Sequence, residues 1–317
     1  MGEVLLVNFG GPRNLDEVAP FLTALLCDPD VIRTRFPPFI HRWLFGRVAR
    51  KRALKVRHDY EQIGGRSPIY FDTELIAKAL SKRLDAPVHT FHRYLPSTHS
   101  HSLGQIKEPK HLKVLPLFPQ FSYATTGSIA RYFSRHFPKG LLWIKSYAAH
   151  PAFLAAYQRR ISDFLSEKGL RQEETILLFS AHGLPQAFVE EGDIYESECR
   201  LSYEGVMKAF PLALGRLSYQ SKFGPGEWLR PYTDEVCEQV LNWHEGRKSV
   251  VFVPISFTSD HIETLFEIEK LYLPIIASKG LNAYRCPALN VEPYWMDALA
   301  EIVQESNLCN NQMLIRT

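Results

Sequence analysis

Asp260, His261, Glu263 and Glu267 lie within one short run, FVPISFTSDHIETLFEIE at 252–269, which has the form of a buried strand, a polar loop and a helix entrance. On a regular helix the three carboxylates fall at i, i+3 and i+7, on one face. Like charges that close repel, so the stripe needs protons or a cation to neutralise it. Asp260 and Glu263 also fit an N-terminal capping box, worth about 1 kcal/mol. Capping leaves His261 unexplained, and Glu267 on the same face. A second histidine, His182, sits in SAHGLP at 180–185, just past a strand end, in a turn set by Gly183 and Pro185. Several familiar motifs are absent, which argues against a serine-hydrolase elbow and weakens nucleotide-dependent chemistry. There is no GxSxG, no P-loop and no GxGxxG; HIE at 261–263 lacks a PCxxC partner, and HExxH is absent.

The elements that must position these residues alternate along the chain. Strands are expected at Val4 to Phe9, Val88 to Phe91, Leu112 to Leu117, Leu141 to Ile144, Thr175 to Ser180 and Ser249 to Ile255. Several are almost wholly apolar, as strands covered on both faces should be. Helices are expected near Leu15 to Leu26, Phe71 to Leu84, Ala152 to Glu167, Asp234 to Asn242 and Met296 to Gln304. This rhythm predicts an α/β fold with its site at the carboxyl ends of the strands. The chain also echoes itself. VLLVNFGGP at 4–12 returns as ILLFSAHGLP at 176–185, and VLPLFPQFSYATTGS at 114–128 returns as VFVPISFTSDHIETL at 251–265. The expectation is two similar halves, 1–148 and 149–295, facing each other across a cleft; a helix and tail at 296–317 could pack back on the first half.

A chain of 317 residues with 45% apolar and 22% charged residues is that of an ordinary globular enzyme, and a net charge of +3 gives no argument for nucleic acid. No stretch is long and apolar enough to span a bilayer, and the N-terminus has neither a signal-peptide nor a myristoylation pattern. Five scattered cysteines without a CxxC pair point to reduced thiols and a cytoplasmic setting. The segment 31–57 is unusual: it holds nine Arg or Lys and no acid, together with Phe36, Phe39, Trp43 and Phe45. It suits a lip over an anionic, greasy ligand, or a peripheral contact with a membrane surface.

Seven motifs, in order over about 260 residues, resemble the ferrochelatases: VNFGGP (7–12), IGGRSPI (63–69), HRYLPST (92–98), LPLFPQFSYATTGS (115–128), SAHGLP (180–185), YQSKFGPGEWLRPYTDE (219–235) and VPISFTSDHIETLFE (253–267). The resemblance implies two Rossmann-like, chelatase-type halves and insertion of Fe²⁺ into a porphyrin. It implies His182 and Glu263 as the catalytic pair and the residues that meet the metal, supported by His261, Glu267 and Asp260. Phe9, Phe257 and Trp228 would wall the macrocycle. Lys51, Arg52, Tyr60 and Ser67 would lie on the side of the propionates, and Arg93 and Tyr94 near the metal side. Neutral imidazole suits a proton acceptor near neutral pH or a ligand of a borderline metal, and carboxylates suit dehydrating the ion and leading protons away.

The chain departs from the family pattern in two places. Leu271 stands where relatives often carry a further acid two turns past Glu263, with Glu269 nearby on a different face of a regular α-helix. Only Cys309 lies in the C-terminal region where some relatives hold a [2Fe–2S] cluster, so none is expected, and Fe²⁺ is a substrate rather than a resident cofactor. Protoporphyrin is the expected substrate, with coproporphyrin, which carries more propionates to neutralise, as the alternative. A non-catalytic haem or metal carrier is the alternative of another class. The sequence does not give the oligomeric state.

Overall fold

In the computed structural model, which describes residues 2–107, 109–137 and 141–316, the most apolar runs of the chain form two sheets. The first sheet contains β1 (Val4–Asn8), β2 (Val88–His92), β3 (Lys113–Pro116), β4 (Leu142–Ile144) and, from the far end of the chain, β9 (Leu308–Cys309), in the order β2-β1-β3-β4-β9. The second contains β5 (Thr175–His182), β6 (Leu214–Gln220), β7 (Ser249–Pro254) and β8 (Asn282–Arg285), in the order β6-β5-β7-β8. Every pairing is parallel except that of β9 on β4. The two sheets therefore repeat one pattern: the first strand lies inside, the second beside it, and the third and fourth on its other side. The central strands β1 and β7 are buried along their whole length, and β5 up to its last residue, as parallel sheets flanked by helices require.

The chain divides into two compact units, Met1–Tyr147 with Leu299–Thr317, and Ala148–Ala298. The first unit packs Leu5, Val7, Val114, Ile129, Phe133 and Trp143 into its core; the second packs Ile176, Leu178, Val250, Phe252 and Ile268. Leu314 from the C-terminal tail is fully buried in the first core. The Trp143 indole donates to Asn311 Oδ1, and Arg131 Nη2 donates to the Arg316 carbonyl at 2.8 Å.

Three differences from the sequence-based expectations have physical causes. Strands β6 (LGRLSYQ) and β8 (NAYR) carry polar residues and are only partly buried, so they lack the apolar signature. The basic segment around 31–57 is dominated by one helix, α2 (Pro38–Glu61), which inverts the usual amphipathic pattern. Between the buried His41 and Tyr60 its inward residues are small, Gly46, Ala49 and Ala53, and α2 packs against the helix α1 (Val18–Leu26), while Phe39, Trp43 and Leu54 are 74%, 63% and 78% exposed. The acidic helix is not α-helical: Glu263–Tyr272 winds as a ten-residue π-helix. Its counterpart in the first unit, Tyr123–Gly127, also has π winding, so the echoed segments share their local geometry as well as their sequence.

Because Leu314 fills a buried site among aromatic and aliphatic side chains, Leu314→Ala is expected to cost about 2–5 kcal/mol in urea unfolding of the first unit. A loss below ~1 kcal/mol would show that the tail adds little to that core.

Candidate active site

The second unit gathers its polar groups at the carboxyl end of its sheet. His182 is the last residue of β5; its backbone N–H donates to Ser256 Oγ at 2.9 Å. Its Nδ1 lies 2.5 Å from the Gly183 carbonyl, which accepts, so Nδ1 carries a hydrogen and Nε2 faces the site. Nε2 is 3.5 Å from Glu263 Oε1. Gly183 is required by close packing: a Cβ there would stand 2.8 Å from the Gln220 carbonyl and 3.3 Å from the Trp228 ring. Trp228 is thereby held beside the His182 turn, with its indole N–H buried and without a partner among the described residues. The Phe257 ring lies 4.1 Å from that of His261 and 6.1 Å from that of His182.

The π-helix brings Glu263 and Glu267 to the same place, four residues apart on its wider turn. Ser221 Oγ donates to Glu267 Oε2 at 2.6 Å, and Gln220 Nε2 donates to the same oxygen at 3.2 Å and to the Glu263 carbonyl at 2.8 Å. Ser221 takes a left-handed backbone, φ 64°, to do so. His261 Nε2 is 3.7 Å from Glu263 Oε2, and neither of its buried ring nitrogens has a hydrogen-bond partner among the described residues. Among the described residues no three His, Cys, Asp or Glu side chains form a group that could hold a metal ion.

Asp260, in line with these carboxylates on a regular helix, faces elsewhere. Its Oδ1 accepts from Arg285 Nη1 and Thr264 Oγ1, both at 2.8 Å, and its Oδ2 accepts from Asn290 Nδ2 at 2.9 Å. It precedes the π-helix and ties that helix to the end of β8.

Burial disfavours a charge on His182, but the Glu263 carboxylate outweighs burial and lifts the imidazole to about 9. Burial likewise acts to raise Glu263, yet His182 holds it well below the usual carboxylate range. Burial, and next the charge on Glu263, push Glu267 up to about 7. The pair thus favours an imidazolium facing a carboxylate, and the neighbouring Glu267 is biased toward its protonated form.

The remaining sequence-selected residues lie in the first unit, apart from Trp228 and Phe257. Phe9 packs edge-on to Tyr94 and Phe118, each 4.8 Å away between centroids. Arg93 and Tyr94 converge on a residue that sequence reasoning missed, the buried Asp28. Its Oδ2 accepts from Arg93 Nη2 at 2.7 Å, Tyr94 Oη at 3.1 Å and Ser128 Oγ at 2.7 Å. Lys51 and Arg52 are exposed on α2, whereas Tyr60 and Ser67 are buried, the latter at the start of the helix α3 (Pro68–Leu84). Ser221, Gln220, Ser256 and Asp28 could not be singled out by type; the first two sit in the run YQSKFGPGEW and Ser256 in FVPISFTSDHIE, but Asp28 stands in no unusual run.

A family model for ferrochelatases matches residues 3–307. The ferrochelatase of Chlamydia caviae is 45% identical over 316 residues, covering 99% of this chain and 98% of that one. That of Chlamydia abortus is 46% identical with the same coverage. Among solved structures, SirB from Bacillus subtilis with Fe³⁺ superposes with a TM-score of 0.54 at 13% identity, covering 96% of this chain and 94% of its own. CbiX, described as the terminal enzyme for sirohaem biosynthesis in denitrifying bacteria, gives a TM-score of 0.51 at 13% identity and 96% and 97% coverage. The two structures share the fold.

The site's protons predict its pH dependence. A His raised to about 9 stabilises the fold fully below its unfolded value and loses that contribution as pH rises through about 9; a carboxyl raised to about 7 likewise favours the protonated, folded state at low pH. A divalent cation bound here would displace both protons. Its affinity, measured by titration calorimetry, is then expected to rise with pH up to about 9, most steeply below about 7, and Glu267→Gln should flatten the part below about 7. A pH-independent affinity would show that neither proton is displaced.

Proposed function

The chain belongs to the ferrochelatase family, and on that premise we propose that it inserts Fe²⁺ into protoporphyrin IX, releasing two protons and forming protohaem, the last step of haem biosynthesis. The observation that carries this reading is the His182–Glu263 pair at 3.5 Å with Glu267, lifted to about 7, on the same helix face. Metalation replaces two pyrrole N–H protons by one dehydrated cation, so it needs a base and a carboxylate site in one place, and the two must be coupled. Here a cation drawn to Glu263 and Glu267 withdraws the negative charge that keeps His182 protonated. His182 then loses its proton and is free to accept one from the ring. We assign the ion to the carboxylates and the pyrrole proton to His182 Nε2, with His261, buried and unpartnered in hydrogen bonding, next in line for proton transfer.

Roles in macrocycle binding are assigned unit by unit. In the second unit Trp228 and Phe257 offer aromatic surface beside His182. In the first unit Phe9 offers aromatic surface and the exposed Lys51 and Arg52 offer charge to propionates, while Tyr60 and Ser67 would shape the floor beneath them. Arg93 and Tyr94, fixed by Asp28, would act as a rigid pair on the metal side. The exposed aromatics of α2 support protoporphyrin, whose two propionates demand fewer cations than the four of coproporphyrin. Anaerobic Fe²⁺ insertion into the two porphyrins, followed by the Soret band, tests this: protoporphyrin is expected to turn over faster. The coproporphyrin alternative predicts the reverse order, and a carrier predicts tight binding without metalation of either. His182→Ala is expected to lower kcat by about 10²-fold or more at saturating iron; normal metalation would remove His182 from the proton path.

The outward face of α2 also supports a peripheral membrane contact, since Phe39 and Trp43 are exposed beside Arg47, whose guanidinium lies 5.3 Å from the Trp43 ring. No helix among the described residues is long and apolar enough to cross a membrane. Sedimentation with anionic vesicles is expected to retain the wild-type chain and to lose a Phe39→Ser, Trp43→Ser variant. Equal recovery of both would exclude this face as the contact.

A further inference from the structure

Arg285 ends β8 and is almost buried, its side chain 11% exposed. Its two donating edges reach different parts of the acidic helix. Nη1 donates to Asp260 Oδ1 at 2.8 Å, just ahead of the helix, and Nε donates to Glu269 Oε1 at 2.8 Å, well inside it. Asp260 stands just before the helix, and Glu269 lies six positions past the first helical residue, Glu263. Six residues turn through roughly 600° in an α-helix, at about 100° each, and through roughly 490° on the wider turn of a π-helix. Rewinding the segment as α would therefore carry Glu269 about a third of a turn away from its present place relative to the helix entrance. One guanidinium can hold Asp260 and Glu269 together while the segment winds as π, and α winding would pull them apart. The entrance is pinned independently: Asn290 Oδ1 accepts the Asp260 backbone N–H at 2.7 Å while Asn290 Nδ2 donates to Asp260 Oδ2 at 2.9 Å. Asn290 does this from a left-handed backbone, φ 48°, a conformation Asn tolerates.

We propose that Arg285 is a positioning residue for metal delivery: its fork on Asp260 and Glu269 fixes the π winding of Glu263–Tyr272, and so the placement of Glu263 and Glu267 against His182. The inference rests on the reading of those two carboxylates as the groups that receive the ion. Rewinding the segment as α would turn Glu267 relative to Glu263 and draw it away from Ser221 and Gln220, its present hydrogen-bond donors. Asp260 and Glu269 thus serve the site without entering it. The fork geometry is specific to arginine, because a lysine ammonium is a point charge that cannot present two separated donating edges.

Arg285→Met leaves the buried Asp260 without its cation and puts folding at risk, so the decisive variant is Glu269→Ala, which removes only the outer half of the fork. Mutations of groups that orient a metal site without touching the ion typically cost 10–100-fold in metal affinity. Glu269→Ala is expected to raise the KM for Fe²⁺ about tenfold, with porphyrin affinity and kcat at saturating iron changed less than about twofold. Arg285→Lys should show the same KM increase, whereas a purely structural role would lower the melting temperature and kcat and leave KM alone. That second pattern overturns the inference. Co²⁺ binding to the porphyrin-free chain gives a readout independent of turnover. A weakened Co²⁺ affinity in Glu269→Ala supports the fork, and an unchanged affinity overturns it, whether or not the wild-type chain metalates porphyrin. Absence of wild-type metalation would instead remove the proposed function.

Discussion

Two carboxylates and an imidazole held close together in a half-buried site cannot all be charged as they would be in water, and the second unit is built around that constraint. The sheet beneath is mostly apolar along β5 and β7, and the Ser180 hydroxyl among those strands is already engaged, donating to Gln220 Oε1 at 2.6 Å. The nearest compensations are short and few: a carbonyl on His182 Nδ1, a serine and a glutamine on Glu267, and the attraction between His182 and Glu263. What is left over is one excess acid and several orphaned donors and acceptors, the groups that under the proposed function take in a doubly charged ion and give up protons. A site fully satisfied in its resting state would have no reason to bind either.

The supporting network keeps its charges separate from the reacting ones. Asp260 is fully occupied by Arg285, Thr264 and Asn290, and Asp28 in the first unit is occupied by Arg93, Tyr94 and Ser128. Each buried acid organises neighbours taken from distant points of the chain and has little capacity left for a ligand. This division into anchored and available carboxylates arises from partner count rather than from residue type.

That division also marks the limit of what the sequence could reveal. The alternating apolar runs announced β1, β3, β5 and β7, because strands buried on both faces leave an almost continuous signal. The strands β6 and β8, partly exposed and polar, left none. His182, Glu263 and Glu267 were legible as chemistry-bearing residues because each stands in a run of unusual composition. Asp260 was grouped with them on α-helical periodicity, which the π winding does not obey. Asp28 carried no local sign, since its partners Arg93 and Ser128 are 65 and 100 residues away. The same holds for Arg285, whose two carboxylates are chosen by helix winding and not by any spacing a regular period would reveal.

The strand β9 gives the chain an unusual order of completion. The first unit is translated first, yet the edge of its sheet and the Leu314 position in its core are filled by residues that follow the entire second unit. The second unit has all its strands within one continuous stretch and can close as soon as that stretch has left the ribosome. The first half therefore keeps an open strand edge at β4 until residues that follow the second unit are made. During synthesis that unpaired edge is a template for wrong pairing with other chains, a hazard the second unit does not share in its strand order.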